Sequence, residues 1–111
     1  MRKPTLFLLL TVLLVLAVSC NPDLAMERRL AGTWQTAVNE DTIYQMVFGT
    51  DGWVEISTFD DGKLIASTKA QWKVDGSMIV ITFSGKYPNA KPFSLEDDDT
   101  LIYGDNTYQR V

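Results

Sequence analysis

Reactive chemistry has few places to reside in this 111-residue chain, which carries one cysteine and no histidine. Without imidazole the commonest general base and metal ligand is missing, and no Ser-His or Cys-His nucleophile pair can be built. Carboxylates do cluster, as Glu40-Asp41, Asp60-Asp61 and Glu96-Asp97-Asp98-Asp99. Each cluster lies between apolar runs, where solvated turn residues are the ordinary occupants. The last one lacks the Asp-x-Asp-x-Asp-Gly spacing of an EF-hand loop. Glycosidase chemistry by paired carboxylates would need a deep cleft, which so short a chain is not expected to form. The sequence therefore predicts a non-enzymatic protein with no metal and no cofactor, and it directs attention to the thiol of Cys20.

What precedes Cys20 gives that thiol its context. Arg2 and Lys3 open the chain, and an apolar segment follows from Leu6 to Val18 with Thr11 as its polar interruption. Ala17 and Ser19 supply small side chains just before the cysteine. A positive n-region, an apolar h-region and a small-residue cleavage site, in that order, make a secretory leader. Leu16-Ala17-Val18-Ser19-Cys20 resembles the lipobox of bacterial lipoproteins. The resemblance implies that diacylglycerol is attached to the Cys20 sulfur, that residues 1–19 leave as a lipoprotein signal peptide, and that the new amino terminus is acylated. Acyl chains contribute about 0.8 kcal/mol per buried methylene, so two or three of them anchor a protein stably without a crossing helix. Two other readings stay open. One is an ordinary leader cut near Ser19 that leaves a free thiol. The other is a membrane-spanning anchor, for which the segment falls short of the roughly 20 apolar residues required. The implied location is the bacterial cell envelope. Asn21 stands where the family's inner-membrane retention signal places Asp, which implies the outer membrane in a cell that has one.

Beyond the leader there is room for one small domain. All 14 acidic residues follow Cys20 but only eight of the ten cations do, so the mature chain carries a net charge of −6. Nucleic acid and anionic lipid surfaces demand a basic patch, and none is visible. The expected contact with a membrane is therefore the covalent lipid on Cys20. With that thiol occupied there is no intramolecular disulfide, and a packed core has to hold the fold.

Asn21-Pro22 can open a short helix through Leu30, with Asn21 as cap and Pro22 at the first helical position. Residues 20–29 are read as the lipidated terminus and a helical spacer, and residues 30–111 as the domain. From Gly32 the hydrophobic period becomes two, and Asp-Gly recurs at Asp51-Gly52, Asp61-Gly62 and Asp75-Gly76 between strand-like runs. Such dipeptides are strong hairpin signals. Eight strands are predicted, over 33–38, 42–48, 53–59, 64–74, 78–83, 92–97, 100–104 and 107–111. In the fourth, Leu64, Ala66, Thr68, Ala70, Trp72 and Val74 share one face and Ser67, Lys69, Gln71 and Lys73 the other. Tyr44, Met46, Phe48, Val54, Ile56, Ile79, Ile81, Phe83, Phe93, Leu95, Leu101 and Tyr103 are expected inside.

A one-sided meander of eight strands removes its free edges by closing into an antiparallel up-and-down barrel. Closure sets the start of the first strand beside the end of the last, so Trp34 and Arg110 are expected to meet as a cation–π pair. Gly32-Thr33-Trp34 together with Arg110 resembles the Gly-x-Trp signature and closing arginine of lipocalins. The order Leu30-x-Gly32-x-Trp34, Phe48-x-x-Asp51-Gly52, Trp72-x-Val74-Asp75-Gly76 and Tyr108-x-Arg110 is similar to small lipocalin-like domains of bacterial lipoproteins. The fold so implied is all-β and lipocalin-like.

Tyr44, Trp72, Tyr103 and Tyr108 offer apolar bodies with polar tips. The candidate pocket is Tyr44, Met46, Ile56, Trp72, Ile81 and Tyr103, suited to a small hydrophobic ligand or lipid. Eight strands enclose space for side chains or for one small ligand, and with strands of five or six residues and bulky aromatics pointing inward the expectation is a filled interior. Two functions follow. One is a ligand-binding lipoprotein. The other is an interaction or inhibitor module that engages an envelope protein or hydrolase through its outer face or the Lys86–Lys91 loop. A cavity favours the first and an exposed apolar patch the second.

Overall fold

Helix α1 (Pro22–Leu30) begins where its capping chemistry dictates. The Asn21 side chain accepts hydrogen bonds from the amides of Asp23 at 3.0 Å and Leu24 at 3.3 Å, and Pro22 takes the first turn, where its missing N–H costs nothing. Asp23 in the first turn and Arg28 and Arg29 in the last match the helix dipole. The computed structural model describes residues 21–111, so the leader and Cys20 lie outside the described part.

The helix was expected as a spacer, and it is docked on the barrel instead. Asp23 Oδ1 accepts from the Gly76 amide at 3.2 Å, and Glu27 Oε2 accepts from the Val74 amide at 3.1 Å. Leu30 is fully buried and Met26 packs against the core. A one-turn overlap of apolar Met26 and Leu30 on the same helix face, at i and i+4, is what lets so short a helix bind.

Eight strands follow: β1 (Gly32–Ala37), β2 (Thr42–Phe48), β3 (Trp53–Asp60), β4 (Lys63–Asp75), β5 (Met78–Thr82), β6 (Asn89–Asp97), β7 (Thr100–Tyr103) and β8 (Asn106–Arg110). Each pairs antiparallel with the next, and β1 pairs with β8 at Trp34↔Arg110 and Gln35↔Gln109, which closes the barrel. The all-β barrel expected from the alternation is the fold observed. At the β3–β4 hairpin Asp61 and Gly62 both take positive φ, 54° and 78°, as a two-residue type I′ turn requires.

One end of the barrel is packed solid. Leu30, Trp34, Phe48, Val54, Ile79 and Leu101 are shielded from solvent there, each contributing roughly 1.5–3 kcal/mol of burial. The Phe48 and Trp72 rings lie 4.6 Å apart and tilted, and Trp72 Nε1 donates to the Gly49 carbonyl at 3.0 Å.

The other end is looser, and β4 is the reason. Its face was expected to be inward from Leu64 to Val74, but only Ala70, Trp72 and Val74 are buried, while Leu64 and the neighbouring Ile65 are 57% and 61% exposed. Strand β5 pairs with β4 only over Gln71–Asp75, so the first half of β4 overshoots its neighbour. The register with β3 also shifts there, Thr58 pairing with Ala66 and Phe59 with Leu64, which leaves Ile65 as an additional residue. The β3–β4 hairpin thus projects as a lip with no sheet on its far side to cover it.

Candidate functional site

The open end holds a cavity of ≈ 280 Å³. Strand register sorts its lining by depth. Met46 of β2 pairs with Ile56 of β3, and Ile81 of β5 completes an apolar floor. Toward the mouth, Tyr44 pairs with Thr58, and Phe83, Asn89 and Lys91 line the opposite wall. Tyr103 and Tyr108, from the last hairpin, face each other with centroids 6.4 Å apart.

The tyrosines give the mouth its polarity. Tyr103 and Tyr108 are largely buried, whereas Tyr44 is 42% exposed. Among the described residues none of these three hydroxyls has a protein hydrogen-bond partner, and no buried side-chain polar atom goes unsatisfied, so the hydroxyls remain accessible to solvent. Burial, and secondarily the neighbouring Tyr108, pushes the Tyr103 phenol above its usual value. Tyr108 moves in the same direction, through burial first and Tyr44 second. Both therefore stay protonated as hydrogen-bond donors through neutral and mildly alkaline pH.

Lys91 Nζ stands 5.6 Å from the centroid of the Tyr103 ring, a cation–π contact at the cavity wall. It is the one charged side chain in the lining, and no carboxylate accompanies it there. Asp105 borders an adjoining surface hollow that shares Lys91, Tyr103 and Tyr108. No group of His, Cys, Asp and Glu suited to a metal ion occurs among the described residues.

At the closed end, Trp34 and Arg110 meet as the closure of the sheet requires, with the guanidinium carbon 4.2 Å from the indole centroid. The contact is part of a larger knot. Arg110 donates through Nη1 to the Ala31 carbonyl at 2.9 Å, through Nη2 to the Arg29 carbonyl at 2.6 Å, and through Nε to the Asp98 carbonyl at 2.8 Å. It thereby satisfies the free carbonyls at the C-terminus of α1 and ties them to the β6–β7 turn. Trp34 Nε1 donates to the Leu30 carbonyl at 2.8 Å. Gly32 explains itself in this setting: its φ is +128°, and a β-carbon there would lie 2.8 Å from Arg110 Nη1. The spacing Gly32-x-Trp34 with Arg110 is a clasp of helix, first strand and last strand.

The barrel has a solved counterpart. The chain is similar to the crystal structure of a lipoprotein YedD from Klebsiella pneumoniae subsp. pneumoniae MGH 78578, at 24% identity over 74% of this chain and 71% of that one, with a TM-score of 0.54. At that identity the likeness establishes the fold. No protein-family model and no curated protein matches the chain.

Within the architecture shared with YedD, five of the six pocket candidates come together: Tyr44, Met46, Ile56, Ile81 and Tyr103 all line the cavity. Trp72 does not. Its bond to Gly49 and its contact with Phe48 draw the indole to the closed end, so it plugs the barrel that it was expected to line. Cys20 lies outside the described residues. Thr58, Asn89 and Lys91 were missed, the last two because β6 starts at Asn89 rather than at Pro92. The signal was available in Asn89-x-Lys91-x-Phe93-x-Leu95, an alternation that continues backward through Pro92.

Proposed function

We propose that the protein is a lipid-anchored, non-enzymatic envelope lipoprotein that holds a small apolar ligand in the open end of its barrel. The observation that carries this reading is the half-open, apolar-floored cavity at one end of an otherwise packed interior. Its ≈ 280 Å³ sits at the lower limit of small-molecule sites, which favours one compact ligand over a whole two-chain lipid. The lipobox resemblance at Cys20 supports the anchor, and the lipoprotein described for the YedD structure is consistent with it.

The docked helix orients the molecule in this reading. Asn21 caps α1, and α1 is fastened to Val74 and Gly76 at the closed end. Cys20 directly precedes that cap, so its acyl chains would leave from the closed end. The mouth then faces the aqueous compartment and takes ligand from there. Asn21 after the lipidated cysteine supports the outer membrane as the location, in a cell that has one.

The reading is tested with the neutral fluorophore N-phenyl-1-naphthylamine on the mature protein. Saturable one-to-one fluorescence enhancement is expected, and Ile56→Trp, which fills the floor, abolishes it while the barrel remains folded by circular dichroism. Absence of saturable binding to the wild-type barrel would overturn the ligand reading. A second reading draws on the lip, where exposed Leu64 and Ile65 could contact an envelope protein or hydrolase. Under that reading Leu64→Ser with Ile65→Ser abolishes partner capture and leaves the fluorophore bound.

A further inference from the structure

We propose that the cavity selects small amphiphiles bearing an anionic head, which Lys91 receives while the apolar body rests on Met46, Ile56 and Ile81. The inference rests on the ligand reading above and names the class of ligand.

Four observations on the lining lead there. Lys91 is its one charged side chain, and among the described residues it has no carboxylate partner, although the mature chain carries six more acids than bases. Lys91 is exposed at the rim of the cavity, and an ammonium group without a carboxylate partner beside an apolar lining can receive a carboxylate or similar anion. Its position is also constrained. The register pairs Lys91 with inward-facing Ile79, the side-chain stem runs close to Gly104, where a β-carbon would lie 3.4 Å from Lys91 Cδ, and Nζ ends over the Tyr103 ring.

The neutral donors beside it complete the recognition. The hydroxyls of Tyr103, Tyr108 and Tyr44 and the amide of Asn89 can all donate to head-group oxygens. A neutral ligand would satisfy the floor and leave Lys91 unused. An anion satisfies both. Size limits the body: a water's share of liquid volume is about 30 Å³, so the cavity accommodates on the order of ten such volumes, a medium-chain or single-ring acid. Asp105, just outside the mouth, opposes an anion and so weakens its entry.

The test titrates the mature protein with sodium octanoate, with octan-1-ol, and with phosphatidylcholine vesicles containing phosphatidylglycerol. Wild type is expected to bind octanoate about tenfold or more tighter than octanol, as one charge-assisted hydrogen bond supplies. Lys91→Gln should weaken octanoate about tenfold more than it weakens octanol, Lys91→Arg should retain the preference, and Asp105→Asn should strengthen octanoate severalfold. Equal binding of octanoate and octanol by wild type would overturn head-group selection while leaving the ligand reading intact. Binding of neither compound overturns both. Binding to the anionic vesicles with none to free octanoate would identify a membrane-surface headgroup as the source and overturn the proposal for a free amphiphile.

Discussion

The two ends of this barrel are made from the same alternating strands and finished in opposite ways. At the closed end the strands are capped by α1, and the polar groups are consumed internally: Arg110 by three carbonyls, Trp34 by Leu30, Trp72 by Gly49. At the open end the tyrosine hydroxyls and Lys91 are left for something else. Stability is concentrated at the end where polar atoms are satisfied internally, and the polar groups without a protein partner gather at the other. A barrel this small has too little interior to be packed solid and left open at the same end. Here the division runs across the barrel axis, with fully buried Trp34, Phe48 and Leu101 on one side and half-buried Ile56 and Phe83 on the other.

If that division is real, substitutions at the closed end must cost far more than matched ones at the mouth. The largest effect is expected at Trp34→Ala, which empties the most voluminous fully buried site and should destabilise the barrel by about 3–5 kcal/mol in urea unfolding. Arg110→Ala follows at about 2–3 kcal/mol, because it strips stacking from the indole and leaves carbonyls of α1 unsatisfied. In a double-mutant cycle the two should couple by more than about 0.5 kcal/mol, and strict additivity would mean that the clasp does not act as a unit. Gly32→Ala comes next, at about 1–3 kcal/mol, since a positive φ and the Arg110 guanidinium both oppose a β-carbon there. Should Gly32→Ala in an Arg110→Ala background cost as much as it does alone, the guanidinium is not what excludes the side chain.

The sequence was most legible where one rule governed at a time. Eight alternating runs, three of their connections marked by Asp-Gly, translate directly into eight strands, and antiparallel closure alone places Trp34 beside Arg110. The start of the helix follows equally from Asn21-Pro22. What stayed hidden depends on neighbours that no local pattern encodes. The alternation from Leu64 to Val74 is genuine, but it cannot reveal that β5 is short and leaves half of β4 uncovered. Trp72 shares its face with Ala70 and Val74, and only the Gly49 carbonyl decides toward which end its indole turns. Lys91 was read as a loop cation because Pro92 suggests a strand start. The strand in fact begins before it. The acidic run Glu96–Asp99 was read as solvated turn chemistry at a strand end; Glu96 and Asp97 close β6 and Asp98-Asp99 make the turn, which also carries ion pairs, Asp98 with Arg29 at 3.3 Å and Asp99 with Arg110 at 3.7 Å.

At the mouth, the same scale of test should register little. Tyr44→Ala removes a ring that is already 42% exposed, and a loss below about 1 kcal/mol is expected, with ligand affinity reduced more than stability. A loss as large as that of Trp34→Ala would erase the distinction between the ends. The smallest effect concerns pH. Burial raises the phenols of Tyr103 and Tyr108 above the ordinary value of 10.0, so the unfolded chain releases those protons first. Stability falls with pH wherever the folded state binds more protons than the unfolded one. The contribution of these two groups is therefore complete below about pH 10 and is lost as pH rises through their folded values. Urea midpoints measured from neutral to strongly alkaline pH should be flat at first and then decline, and the decline should be shallower in Tyr103→Phe with Tyr108→Phe. A bound anionic amphiphile that covers these hydroxyls should steepen it, because it excludes water from the phenols and sets a negative charge beside them. An unchanged alkaline limb in the presence of ligand would place the head group away from the tyrosines, and with it away from Lys91.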